Sequence, residues 1–199
     1  MFIIGLTGGI GSGKSAATKI LKELGLKIID LDQITHHLMK IGEPGYIEIK
    51  KEFGEKYIDT KNAIDRKLLR EEIFLSLDLK KRIESILHPI IFEECNKELN
   101  KLKHEKYLVL VIPLLFETKT YSSIIDESLL IDCDIETQVK RVIKRDKTSE
   151  ALANKIIKNQ MSRDEKLSFA DKVILNNEDI SNLKTQLDDY YKNLLKDKK

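Results

Sequence analysis

Lys14 and Ser15 close a glycine-rich run, Gly8-Gly9-Ile10-Gly11-Ser12-Gly13, that fits the pattern G-x-x-x-x-G-K-[ST]. Glycines let a backbone curl until its N–H groups converge on an anion, and the dipole of a following helix adds to the attraction. An ammonium at Lys14 reaches the β- and γ-phosphates of a nucleoside triphosphate, and the Ser15 hydroxyl suits Mg2+. Gly9, Gly11, Ser12, Gly13, Lys14, Ser15 and Ala16 are therefore candidate nucleotide contacts, with Ser15 the candidate metal ligand. Two carboxylates, Asp30 and Asp32, stand one strand further on, where one could accept a proton from a hydroxyl acceptor. Two arginine pairs, Arg66 with Arg70 and Arg141 with Arg145, are each spaced four apart, on one helix face.

These groups work only if the backbone holds them. Residues 2–7 read as a buried strand entering the glycine turn, and 16–24 as the helix leaving it. Gly25 ends that helix, and 26–30 is a second strand that delivers Asp30-Leu31-Asp32 at its carboxyl end. Either aspartate is also a candidate cap for a helix over 33–41. From 33 to about 106 the pattern is mostly helical, too long for a simple crossover, and reads as an insert. Within it, 46–53 is a short helix closed by Gly54, Asn62 suits a left-handed turn, and Asp65 caps the helix of Arg66 and Arg70. Leu79, Ile83, Ile86, Leu87, Ile90 and Ile91 mark a long helix, expected to kink or break at His88, ahead of Pro89.

Continuous apolar runs at 107–112 and 128–133 are central parallel strands. Asp134 caps a helix bearing Lys140, Arg141, Lys144 and Arg145, Thr148 or Ser149 opens another, and Ser162-Arg163-Asp164-Glu165 is a capping box. Short basic helices beside a phosphate site have the make-up of a closing lid. Residues 171–175 form the last strand, and Leu183, Leu187, Tyr190, Tyr191, Leu194 and Leu195 stripe the final helix. The expected fold is α/β: a doubly wound five-stranded parallel sheet with a helical insert and a small helical lid. We expect one domain over 1–199, with its core at about 1–32, 107–135 and 170–199, the insert at about 33–106 and the lid at about 136–168.

Charge and cysteine usage narrow the class. Lys+Arg 35 against Asp+Glu 33 leaves a net +2, and the signs are mixed along the chain, so bulk charge does not point to nucleic acid. The basic run Lys196-Asp197-Lys198-Lys199 reads as a solvated terminus. Cys95 and Cys133 lack a CxxC or His-rich companion and read as reduced core thiols. No stretch approaches the roughly 20 apolar residues of a membrane span, and a basic leader is not evident, so a cytoplasmic protein is expected.

Taken in order, the motifs resemble those of the dephospho-CoA kinase family almost end to end. The resemblance rests on Gly5-Leu6-Thr7 with the glycine loop, Ile29-Asp30-Leu31-Asp32, Ile64-Asp65-Arg66 with Leu69-Arg70, and Leu87-His88-Pro89. It extends through Pro113-Leu114-Leu115-Phe116-Glu117, Gln138-Val139-Lys140-Arg141 with Arg145, and Ala170-Asp171 to Asn176-Asn177. It implies transfer of the ATP γ-phosphate to the ribose 3′-hydroxyl of dephospho-CoA with Mg2+, in a monomer or weak homo-oligomer. Asp32 would be the general base, Lys14 and Arg141 would neutralise the moving phosphoryl group, and Arg145 would be a lid cation near ATP. Thr7, Asp32, Arg66, Arg70 and His88 would contact the acceptor, which makes the insert the acceptor-binding part.

Ala16, Asn62 and Lys155 stand where the family often has Thr, Gly and Arg. An Asp of the Walker-B type is missing after the 107–112 run, which leaves Asp32 or Glu117 as candidates for a second contact to Mg2+. The runner-up is another small-metabolite P-loop kinase, acting on a nucleoside or nucleoside monophosphate. The Ile-Asp-Arg and Leu-His-Pro segments argue for the CoA-type family. A GTPase-type switch would want a guanine-reading Asn-Lys-x-Asp, and the sequence has none.

Overall fold

In the computed structural model of the chain, residues 1–118 and 120–196 are described, so Asp197-Lys198-Lys199 of the basic run lie outside them. Strand β1 (Phe2–Thr7) leads into helix α1 (Lys14–Glu23), and β2 (Lys27–Asp30) follows. After α2 (Leu31–Leu38), α3 (Pro44–Phe53), α4 (Arg66–Leu75) and α5 (Leu77–Lys101) come β3 (Tyr107–Val111), α6 (Leu115–Thr118) and β4 (Glu127–Asp132). Helices α7 (Ile135–Asp146), α8 (Glu150–Lys158) and α9 (Arg163–Phe169), strand β5 (Lys172–Leu175) and helix α10 (Ile180–Lys196) complete the order.

The strands form one sheet in the order β2-β3-β1-β4-β5. β1 pairs in parallel with β3 from Phe2 opposite Tyr107 to Leu6 opposite Val111, and with β4 from Ile4 opposite Glu127 to Thr7 opposite Leu130. β4 pairs in parallel with β5, Leu129 opposite Lys172. β3 is buried along its whole length, as its unbroken apolar sequence requires. The chain leaves β1 toward β2 on one side and β4 toward β5 on the other. The carboxyl ends of β1 and β4 are therefore a topological switch point, the place where open parallel sheets take their ligands.

Residues divide into two units, Met1–Ile29 with His104–Lys199, and Asp30–Lys103. In the first, α1 buries Ala17, Ile20 and Leu21, and α10 buries Leu183, Leu187 and Leu194, against Ile4, Leu6, Val109 and Leu129 of the sheet. Leu195, expected in that stripe, is 40% exposed, because it falls past the face that meets the sheet. The Tyr107 hydroxyl donates to the Leu194 carbonyl at 3.0 Å and ties down the last turn of α10. Truncating the fully buried Leu187 to alanine should cost about 2–5 kcal/mol. The short helices start where local capping chemistry allows. Asp134 accepts from Thr137 N–H at 2.7 Å, Ser149 (not Thr148) from Leu152 N–H at 3.3 Å, and Ser162 and Glu165 form the reciprocal box.

The second unit is helical, with α2, α3 and α4 packed on α5. Asn62 takes the left-handed conformation at φ 60° within the turn between Ile58 and Ile64. The expected break at His88 does not occur: α5 runs 25 residues through Pro89. Proline costs such a helix about 3 kcal/mol through its missing N–H and ring clash. Ile83, Leu87, Ile91, Cys95 and Leu99 lie buried in one i,i+4 row on both sides of it, and Pro89 itself faces outward. That row offsets the local cost. No helix among the described residues is long and apolar enough to cross a membrane.

Candidate active site

β1 ends at Thr7, whose hydroxyl donates to the Pro113 carbonyl at 3.5 Å, and the chain then turns through the glycines. Gly11 and Gly13 have φ of 77° and 100°, the left-handed region that glycine alone enters freely. A Cβ on Gly8 would lie 2.5 Å from Ser12 Oγ and 2.6 Å from the Ile131 carbonyl, and one on Gly13 would collide with the Asn176 amide. The loop is thus a cradle with no room for a Cβ at Gly8, Gly11 or Gly13. Gly13 is the N-cap of α1 and makes no side-chain cap, while its carbonyl accepts from Ala16 and Ala17 at 2.9 and 3.1 Å. Lys14 and Ser15 follow at the first two helical positions, whose N–H groups have no intrahelical acceptor. An uncapped helix start behind a glycine cradle is built for phosphate. Lys14 is half-buried and Ser15 exposed. The Ser15 hydroxyl is the kind of hard oxygen donor Mg2+ takes beside phosphate oxygens, so the loop fits that ion.

One of the two predicted arginines of α7 meets the loop. Arg141, on α7, donates to the Ser12 carbonyl at 3.4 Å and to the Glu178 carbonyl at 3.4 Å. Arg145, one turn further, is instead held by Asp146 in a bidentate pair at 2.7 and 2.8 Å. Asn176 donates to the same Ser12 carbonyl at 2.7 Å.

Asp132, Arg163 and Lys166, also around the loop, carry no site signal in the sequence. Asp132, at the carboxyl end of β4, is 4% exposed and is gripped by Arg163, with Nε at 2.9 Å and Nη2 at 2.6 Å from Oδ2. That carboxylate pushes the Arg163 pKa up further. Burial pulls the Lys166 ammonium below its usual range, although Glu117 lies 3.9 Å away. Glu117, one candidate for Mg2+, also accepts from Met161 N–H at 3.3 Å. A cavity of about 340 Å3 beside the cradle is lined by Gly9, Asp132, Gln138, Gln160, Arg163 and Lys166, among others. Arg163 had read only as part of a capping box. Its partner lies 31 residues away, beyond any local pattern. Cys95 and Cys133 are buried free thiols, each pushed up to about 11 by burial, which keeps them protonated and inert.

The second unit gathers most of the acceptor-side residues. α2 starts at Leu31, two residues earlier than expected, because Asp30 caps it by accepting Asp32 N–H at 2.9 Å. Asp32 therefore belongs to the first helical turn. Asp65 caps α4 through Lys67 and Leu68 N–H at 3.1 and 2.9 Å and so sets the pitch of Arg66 and Arg70. A cavity of about 730 Å3 is lined by Asp32, Thr35, His36, Lys40, Arg66 and Arg70, with Arg66 Nη1 against His36 Nδ1. Several cations around one carboxylate suit an anionic ligand that also carries a group to be deprotonated. His88, half-buried on α5, is not among the residues lining this cavity.

Comparison with known proteins identifies the family. Residues 2–182 match the model of the family described as CoaE, dephospho-CoA kinase. A dephospho-CoA kinase of Nitrosospira multiformis is 41% identical over 187 residues, 94% of this chain and 93% of that one. A solved structure from Thermus thermophilus superposes with a TM-score of 0.84 at 30% identity, covering 97% of each chain. The dephospho-CoA kinase of Campylobacter jejuni gives 0.72 at 28% identity, covering 99% of this chain and 98% of its own. With a phosphate cradle at the switch point and a family match that spans nearly the whole sequence, the chain belongs to the dephospho-CoA kinase family.

Proposed function

We propose that this kinase transfers the γ-phosphoryl group of ATP to the ribose 3′-hydroxyl of dephospho-CoA, giving coenzyme A and ADP. The observation that carries the reading is the cavity in which Asp32 lies with Arg66, Arg70, His36 and Lys40. A phosphorylated alcohol needs a base for its hydroxyl and cations for its phosphates, and that lining supplies both. Asp32 takes the proton as the 3′-oxygen attacks phosphorus, while the bond from phosphorus to the β-bridging oxygen breaks and ADP departs. Arg66 and Arg70 hold acceptor phosphates. The backbone from Gly9 to Ala16 holds the nucleotide. Lys14 and Arg141 offset the charge that spreads over the transferring group, which is most of what catalysis of this reaction demands.

Mg2+, held by Ser15 and the nucleotide, would neutralise the β- and γ-oxygens. Arg145 reaches ATP only by giving up Asp146, a change that lid closure can supply. Thr7 and His88 are assigned to the acceptor by family resemblance. A coupled ADP-release assay tests the reading, with dephospho-CoA, adenosine, AMP or no acceptor. Turnover with dephospho-CoA at least 100-fold above the others is expected. Preference for AMP or adenosine would make the chain a nucleotide or nucleoside kinase instead.

A further inference from the structure

The phosphate loop is held from outside by a residue that no motif singled out. Gln160 Oε1 accepts from Ile10 N–H at 3.0 Å, across 150 residues of sequence. Gly9 lies beside this contact. A Cβ there would stand 3.5 Å from that same Oε1 and 3.3 Å from Gln138 Nε2. Gln138 is anchored in turn by donating to the Cys133 carbonyl at 3.3 Å. Two carboxamides thus pack beside Gly9.

Gln160 sits in the connection between α8 and α9, and that connection is fixed on its own account. Gln160 N–H bonds to the Ile157 carbonyl at 3.1 Å, and Met161 N–H to Glu117 at 3.3 Å. Ser162 then opens α9 with its capping box, and Arg163 returns to the buried Asp132. A side chain rooted in so constrained a segment can hold the Ile10 peptide in one orientation. If the acceptor is removed, that peptide keeps only the Ser12 N–H bond to its Gly9 carbonyl, at 3.1 Å, and can tilt about it, carrying the N–H groups beyond it. A displacement of about 1 Å in catalytic geometry costs on the order of 100-fold in rate.

We propose that Gln160 is a positioning residue for phosphoryl transfer, its carboxamide oxygen fixing the glycine loop through Ile10 and coupling that loop to the α8–α9 segment. The catalytic readout rests on the kinase reading above; the structural readout does not. Two variants separate the possibilities. Gln160→Leu keeps the bulk and removes the acceptor, and Gln160→Glu keeps an acceptor oxygen. Four quantities are read: melting temperature, hydrogen exchange at the Ile10 amide, MgADP affinity, and the kinetic constants with ATP and dephospho-CoA.

For Gln160→Leu we expect unchanged melting, about tenfold faster exchange at Ile10, and kcat lowered roughly 10- to 100-fold with an unchanged KM for dephospho-CoA. For Gln160→Glu, Ile10 protection should return to the wild-type level and kcat should recover most of its loss. Its MgADP binding should weaken in a salt-dependent way, because a carboxylate then stands near the diphosphate. Wild-type exchange and kcat in the leucine variant would overturn the proposal. So would a lowered melting temperature with kcat preserved, or a glutamate variant no better than leucine in both exchange and kcat. If the wild-type protein does not phosphorylate dephospho-CoA, the kinase reading fails alone, and Ile10 exchange with MgADP affinity still decides the role of Gln160.

Discussion

Asp30 holds the start of helix α2 through the backbone of Asp32, its Oδ1 accepting the Asp32 N–H at 2.9 Å. Two carboxylates one residue apart are thereby given different tasks. Capping falls to Asp30, which Gln33 also contacts at 3.2 Å, and the Asp32 side chain lines the cationic cavity. The pair makes the base assignment testable. Asp30→Ala should cost about 1 kcal/mol of stability, seen as a lower melting temperature. Asp32→Asn should melt like the wild type and bind ATP within a few-fold, with kcat reduced roughly 100- to 10,000-fold. An Asp32→Asn protein with normal kcat would remove Asp32 from the chemistry.

Lys14 is half-buried at the first position of α1, directly after the glycine cradle. Lys14→Ala should leave the circular dichroism spectrum and melting curve near wild type and lower kcat by several orders of magnitude. A folded Lys14→Ala protein with near-normal turnover would contradict the phosphate assignment.

Arg141 and Arg163 both approach the loop region, yet they should fail differently when truncated. Arg141 makes two contacts at 3.4 Å to carbonyls, so Arg141→Ala should spare stability and reduce ATP turnover. Arg163→Ala strands the buried Asp132 carboxylate without its partner and should cost about 3 kcal/mol, as a solvent-denaturation series would measure. Adding Asp132→Asn to Arg163→Ala should return part of that loss, because the unpaired charge is then gone. Equal melting of the two single variants would refute the distinction.

Ser128 donates twice to Asp171, from its backbone at 2.8 Å and its hydroxyl at 2.6 Å, and holds that carboxyl below the usual range. A depressed folded pKa stabilises the protein above the unfolded value of about 3.9, and the contribution disappears as pH falls through the folded pKa. Asp171→Asn should therefore melt below the wild type at neutral pH. The gap should close under acid conditions, below about pH 4. Melting curves at pH 7, 5, 4 and 3 check the trend, and a gap that widens toward acid would show the opposite linkage.

What could be seen beforehand follows the range of the interactions. The cradle is legible because its glycines, lysine and serine are consecutive and each answers a local steric or electrostatic demand. Asp65, Asp134, Ser149 and the Ser162–Glu165 box are caps, which act within three residues. Asp132 with Arg163 and Ile10 with Gln160 depend on the sheet order and on where α9 returns, so no local pattern announces them. Pro89 misleads for a related reason. Its cost is local, whereas the buried row from Ile83 to Leu99 that outweighs it is tertiary.

The two thiols lend the chain a pair of built-in reporters. Cys133 belongs to the unit that carries the cradle and Cys95 to the helical unit, and both side chains are buried. A thiol reagent in native buffer can modify each only when its surroundings open, so alkylation rates, resolved by peptide mass, time the opening of each unit separately. Nucleotide should slow modification of Cys133, whose sulfur lies 3.9 Å from the Gly11 carbonyl of the cradle. An acceptor analogue should slow that of Cys95. The protein can thus be asked which of its halves a ligand quiets, without attaching a single foreign label.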